Sequence, residues 1–205
     1  MDEETAALFP DELVESELGL IPKGWSIKEF SAIANVTGGK QLAKEHFISN
    51  GKNPIFGGAG VMGWTDLSNA SGFVITMGRV GAYCGQFFWH LGDSWVNNNA
   101  SLILPNKVTD SHWVYLWLRT VDIERIKKGA AQPFVSNGDI SALRISIPPR
   151  STIDKFSEVS YPIFQKIANI GITIGSLTEL RDTLLPRLIS GKLRVPIDET
   201  EPSEA

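Results

Sequence analysis

Reactive side chains are sparse in this chain, and their spacing limits what they can do. The single cysteine, Cys84, cannot form an internal disulfide or a thiolate cluster, and the three histidines have no metal-ligand spacing. Cys84 and His90 could be imagined as nucleophile and base, but a lone cysteine in an apolar stretch is ordinarily core packing. No lysine has an Asp or Glu two residues upstream, the offset that common metal-dependent nucleases use to hold an ion and its water. Gly39-Lys40 is followed by Gln41 and lacks the upstream glycine of a phosphate loop, so ATP hydrolysis has no visible site. Phe56-Gly57-Gly58-Ala59-Gly60 fits the F-x-G-x-G pattern of amino-methyltransferases, and Gly58, Gly60 and Gly63 fit G-x-G-x-x-G. Either pattern implies a cofactor at a strand-to-helix turn. Trp64-Thr65-Asp66 then follows with no helical period, and the only Pro-Pro pair lies between Ile147 and Arg150 rather than in an N-P-P-Y loop. Glycine turns explain the motif better, and no catalytic constellation emerges.

What remains is a set of polar and basic residues in loops, interleaved with aromatics. Lys40, Gln41 and Lys44 share one loop. Arg79 lies between Gly78 and Gly81, with Tyr83 and Gln86 beyond; Asn97-Asn98-Asn99 forms a polar turn; Lys127, Lys128 and Gln132 bracket Gly129. Arg, Lys, Asn and Gln are the side chains that match guanine and adenine edges in a major groove, and lysine also serves phosphates. Each residue taken singly reads first as a solvated loop position.

The elements that must position them read as an α+β domain of about 130 residues. Pro22-Lys23-Gly24 is a turn, and Trp25 to Phe30 alternates as a short strand. After the Gly38-Gly39 break comes the polar stretch Lys40 to Lys52. Short apolar runs follow: Pro54-Ile55-Phe56, Gly72 to Met77, Ala82 to His90, and Ala100 to Leu104. Nine of the nineteen glycines fall between Gly57 and Gly92, which suits tight turns in a β-rich layer rather than helices. Ser111 is placed to cap a helix from His112 to Lys128, with Val114, Leu118, Val121 and Ile126 inward and Gly129 stopping it. Leu143 to Ile147 is a last strand, closed by Pro148-Pro149.

Beyond the double proline the period changes. Ser151-Thr152-Ile153-Asp154 offers a start like a capping box. Ile163, Ile167, Ile170, Ile174 and Leu177, continued by Leu184 and Leu188 across Arg181, make a heptad seam that needs a partner helix. A helix over 151–190 would reach roughly 60 Å at 1.5 Å per residue. Pro162 and Pro186 predict kinks or restarts, and Gly171 and Gly175 weaken it. The seam either folds back on its own domain or, set off by the double proline, protrudes as an arm.

Net charge is -4 and pI about 5.4, which at face value argues against nucleic acid. By segment the picture changes: 1–17 carries -7, 18–150 carries +5, 151–195 carries +2 and the tail 196–205 carries -4. The ends read as a solvated acidic leader and tail around a mildly basic body. No run of eighteen apolar residues occurs, and Met1-Asp2-Glu3-Glu4 is unlike a secretory signal, so the reading is a cytoplasmic protein without a membrane span or structural metal.

Several of these landmarks, in order, resemble the specificity subunit of type I restriction-modification systems. The lead-in Leu8-Phe9-Pro10-Asp11 through Glu17-Leu18-Gly19-Leu20-Ile21-Pro22-Lys23-Gly24-Trp25 is similar to the segment entering a target-recognition domain. The glycine-rich turn from Asn53 to Asp66, then Gly78-Arg79-Val80-Gly81, Val96 to Ala100, Gly129 to Pro133 and the exit Ile145 to Pro149 follow in the family's order. Leu180-Arg181-Asp182-Thr183-Leu184-Leu185-Pro186-Arg187-Leu188-Ile189-Ser190-Gly191 is close to the end of the conserved-region helix.

The resemblance implies a non-catalytic subunit. Its target-recognition domain, here 18–150, would read one half of a split site in double-stranded DNA. Its helix, here 151–195, would pair as an antiparallel coiled coil and dock methyltransferase (modification) subunits, with a restriction (motor) subunit recruited to the assembly. Adenosylmethionine, ATP and Mg would belong to those partners, with no cofactor in this chain. The implied DNA contacts are Lys40, Gln41, Lys44, Arg79, Tyr83, Gln86, Asn98, Lys127, Lys128 and Gln132. A complete subunit has two recognition domains and two helices, whereas this chain has one of each. A half-length subunit acting as a homodimer through the heptad seam is the expectation. A small adenosylmethionine-dependent methyltransferase using Phe56 to Gly60, and a pure assembly protein, are the alternatives.

Overall fold

The structure, a computed structural model, describes residues 3–193; the expected acidic tail and the last residues of the 151–195 segment lie outside them. The chain divides into two units, Met1–Phe164 and Gln165–Ala205. None of the described helices is long and apolar enough to cross a membrane.

The first unit is built on an antiparallel sheet of four strands, β4 (Ala34–Gly38), β10 (Ala100–Pro105), β7 (Phe73–Gly78) and β8 (Phe87–Leu91), in that order. All of Phe73–Gly78 is buried, which is why this strand reads as a continuous apolar run rather than an alternation. A second sheet pairs β5 (Asn53–Gly57) with β6 (Gly60–Thr65) as a hairpin and with β9 (Trp95–Val96) in parallel. β3 (Ser26–Glu29) pairs with β11 (Arg144–Ile147) across almost the whole unit.

Three elements lie within the acidic leader and its border. α1 spans Glu3–Ala6, and β1 (Leu13–Ser16) pairs with β2 (Gly19–Pro22), so this hairpin crosses the 17/18 division expected from charge. Glu12 and Glu17 are exposed but not free: Glu12 pairs with Lys23 at 2.7 Å, and Glu17 with Arg144.

The helix expected over His112 to Lys128 is shorter. α2 spans Ser111–Leu118, and a separate 3-10 turn covers Ile123–Ile126. Thr120 ends α2: its N–H and its hydroxyl both donate to the Trp117 carbonyl, tightening the last turn. Val121 and Ile126 still pack on the core through the irregular segment. Ser111 does not cap; it lies inside α2, and its hydroxyl donates to the Val108 carbonyl at 2.7 Å. The apolar run from Ala82 to His90 is a strand only from Phe87, because Ala82 to Gln86 form the β7–β8 turn.

α3 (Asn137–Ser141) is a short helix with a capping box. Ser136 Oγ accepts from the Asp139 N–H at 3.1 Å, and Asp139 accepts from the Ser136 N–H at 3.0 Å. α4 spans Arg150–Ile189. It starts one residue before Ser151, with the Pro149 carbonyl accepting from Thr152 and Ile153, so the expected capping box is not what begins it. Pro162, Gly171, Gly175 and Pro186 lie within it without interrupting the helix, contrary to the expected restarts.

Within the first unit, α4 contributes Ile153 and Phe164 to the core. The Phe164 ring meets Phe73 at 5.3 Å, Trp89 at 5.0 Å and His112 at 4.6 Å. In the second unit, Ile167, Ile170, Ile174 and Leu177 are each about half exposed or more, as is Ile163 just before it. Leu188 is also exposed and Leu184 half-buried.

Candidate nucleic-acid interface

Four strand ends meet at one edge of the four-stranded sheet. β4 and β7 finish there and β8 and β10 start, with Gly38 opposite Ser101, Gly78 opposite Ala100 and Met77 opposite Phe87. The loops leaving that edge carry Lys40 and Gln41 after β4, Arg79, Tyr83 and Gln86 between β7 and β8, and Asn98 before β10.

The loops are stitched together by backbone. Lys40 N–H donates to the Val96 carbonyl at 2.9 Å, Arg79 N–H to Asn99 at 3.2 Å, and Asn97 N–H to Phe56 at 2.8 Å. The approach is close enough to need glycine. A Cβ on Gly39 would stand 2.1 Å from the Asn97 carbonyl oxygen, and one on Gly78 would stand 2.1 Å from that of Gly58. The segment after Lys127 joins the same cluster, since Val135 N–H donates to the Arg79 carbonyl at 3.0 Å and Gly81 N–H to Pro133 at 2.9 Å. Lys128 and Gln132 are thereby carried to the Arg79 loop.

The five candidate cations differ in what already holds them. Lys127 Nζ pairs with Glu124 at 2.5 Å and is mostly covered. Lys128 Nζ pairs with Asp139 at 2.6 Å, and that hydrogen bond, helped by those from Ser136, lowers the Asp139 pKa against the opposing effect of burial. Lys40 and Lys44 are exposed. Lys44 sits in a 3-10 turn, Lys44–His46, whose following residues hydrogen-bond to β6 rather than to the Arg79 loop. Arg79 is half-buried, its Nη1 lies 3.4 Å from where a Cβ on Gly38 would stand, and its Nε is buried without a partner.

Sequence reasoning missed Asn99, Phe134 and Asn137 in this cluster. Asn99 is exposed beside Asn98, and Asn137 accepts from Ser101 Oγ at 2.5 Å. The run of three asparagines was a signal for the first. The placement of Phe134 depends on isolated bridges to Val80 and Lys128, which no local pattern announces.

The residues that resembled catalytic motifs have other surroundings. Gly57 to Gly60 turn the β5–β6 hairpin, Gly60 has φ of +94°, and the chain continues as a strand, so no helix N-terminus follows the glycines. Cys84 is buried in the core, and its thiol donates to the Arg79 carbonyl at 3.2 Å. His90 lies within β8 against Phe56, at 5.9 Å between ring centroids. Among the described residues, no group of three or more His, Cys, Asp or Glu could hold a metal ion.

A β-rich domain followed by a long helix is a fold that solved structures share. The S subunit of a type I restriction-modification system from M. genitalium matches with a TM-score of 0.66 at 18% identity, over 82% of this chain and 46% of that one. The HsdS subunit from Thermoanaerobacter tengcongensis matches with a TM-score of 0.53 at 16% identity, over 92% and 49%. The family model for the type I restriction modification DNA specificity domain covers residues 22–174, and the chain belongs to that family. The type I restriction enzyme MjaIX specificity subunit of Methanocaldococcus jannaschii is 28% identical over 198 residues, 85% of this chain and 46% of that protein. The HindI specificity subunit of Haemophilus influenzae is 25% identical, over 93% and 47%. The chain spans about half the length of the curated relatives it matches.

Proposed function

We propose that this chain is a non-catalytic DNA-recognition subunit of a type I restriction-modification complex in the cytoplasm. In this reading 18–150 reads one half of a bipartite site in double-stranded DNA, and 151–195 pairs with a second copy as an antiparallel coiled coil. Methyltransferase subunits dock on the pair, a restriction subunit joins them, and adenosylmethionine, ATP and Mg act in those partners. The observation that carries the reading is the gathering of Lys40, Gln41, Arg79, Tyr83, Gln86, Asn98, Lys128 and Gln132 around one sheet edge, in a chain of the specificity family. Lys44 and Lys127 stand at its margin, the first exposed on a 3-10 turn whose following segment bonds to β6 through Ile48 and the second paired with Glu124. The exposed seam of Ile163, Ile167, Ile170, Ile174, Leu177 and Leu188, with half-buried Leu184, supports self-association, which would supply the second half of the site.

The test is methylome sequencing of a strain carrying this chain and a cognate methyltransferase. The expected result is a modified bipartite motif that changes when residues 30–145 are exchanged for those of another family member. A motif indifferent to that exchange would sink the recognition role and leave a protein of assembly alone.

A further inference from the structure

The candidate interface has an apolar component that its polar residues do not account for. Val80, Tyr83 and Phe134 are 42%, 51% and 41% exposed, on the loops that carry Arg79 and Gln132. Single exposed apolar residues are ordinary, but these three sit on adjoining segments. Val80 and Phe134 oppose each other on an isolated antiparallel bridge, and Phe134 makes a second bridge with Lys128. The backbone beneath them is pinned. Phe134 N–H donates to the Lys128 carbonyl at 2.8 Å, Lys128 N–H returns the bond at 3.0 Å, and Gly81 N–H donates to Pro133 at 2.9 Å. The Tyr83 carbonyl accepts from Gln86 N–H at 3.1 Å and stands 2.6 Å from where a Cβ on Gly78 would lie.

The edge of this patch points to its occupant. Arg79 follows β7 immediately before Val80, and Lys40 lies across the same sheet edge. The nearby carboxylates Glu124 and Asp139 are already neutralised by Lys127 and Lys128. An apolar spot on a pinned backbone, edged by cations and amides, complements a DNA major groove, where the thymine 5-methyl is the apolar group on a base edge and phosphates flank it. We infer that Val80, Tyr83 and Phe134 form a thymine-reading surface, making apolar contact with 5-methyl groups in the half-site. The inference rests on the DNA-recognition reading above and assigns part of its specificity to apolar contact rather than to hydrogen bonds with base edges.

The test uses the complex of the full chain with its methyltransferase and duplexes carrying the modified motif, with each thymine replaced in turn by deoxyuridine, which lacks only the methyl. At one or two positions affinity falls about fourfold per methyl, the factor for one buried carbon group. In Phe134→Ser or Val80→Ser that penalty disappears at the same position while other positions keep their ranking. Uridine tolerated at every position overturns the inference, and so does a half-site without an A·T pair or a penalty unchanged in both variants. A uridine-insensitive duplex that is sharply kinked on binding overturns it in favour of a side-chain wedge between base steps. The uridine series needs no variant, so misfolding of a substituted chain cannot obscure it. A complex that binds no duplex overturns the recognition reading as well, whereas specific binding indifferent to uridine overturns the thymine surface alone.

Discussion

His112 is buried on α2, stacked on Phe164 at 4.6 Å and edge-on to Phe73 at 4.6 Å, and its Nδ1 has no hydrogen-bond partner. Burial lowers its pKa from the usual 6.5, because the charged ring would lose its hydration there. The sign follows directly. Below about pH 6.5 the unfolded chain takes up a proton that the folded chain refuses, so stability falls as pH falls; above it this group adds no pH dependence. One such proton gives a slope of at most about 1.4 kcal/mol per pH unit. His90, lowered mainly by burial against raising contributions from Asp93, acts with the same sign. His112→Phe keeps a ring in place and should remove part of the acid loss in denaturant titrations between about pH 6.5 and 5. An undiminished loss would place the acid sensitivity elsewhere. At this scale the sequence was partly legible. Arg79 between two glycines and the asparagine run stood out locally, as did Glu124 three residues before Lys127, but the ion pair that engages Lys128 depends on Asp139, whose position comes from the α3 capping box.

Among the elements, α4 carries the clearest consequence. Ile170 and Ile174 lie at the middle of its seam and are 48% and 59% exposed, so neither is needed by the core of its own chain. Replacing both with Glu should leave the melting temperature of the first unit nearly unchanged and weaken the proposed self-association at least about 100-fold, since four charges would enter one apolar seam. Sedimentation equilibrium at tens of micromolar reads the difference, and an unaltered dimer would exclude the seam as its interface. This heptad was plain in the sequence because its period is local. The early end of α2 was not, because Val121 and Ile126 keep facing the core through a 3-10 turn and so preserve the apolar spacing of a longer helix. The β1–β2 hairpin was hidden by its acidic composition: Glu15 and Glu17 are simply its exposed positions and the residue beyond.

For the molecule as a whole, in the proposed recognition role, electrostatics would set how tightly it holds DNA unaided. The body from 18 to 150 carries only +5, and among its candidate contacts Lys127 and Lys128 are engaged with carboxylates, leaving Lys40, Lys44 and Arg79. Three neutralised phosphates predict a log–log salt dependence of about -3 per protomer or shallower. Fluorescence anisotropy with a nonspecific duplex should give that slope for the chain alone and a steeper one once methyltransferase is added. A much steeper slope for the lone chain would mean that cations outside this cluster make contact. The buried Cys84 offers a separate view of the same region. Its thiol donates to the Arg79 carbonyl, it is the chain's single cysteine, and burial raises its pKa. An alkylating reagent can reach it only when the turn beneath Arg79 opens, so the rate of labelling is a clock for that local opening, and its slowing on DNA would time how firmly the bound base stack holds the turn shut.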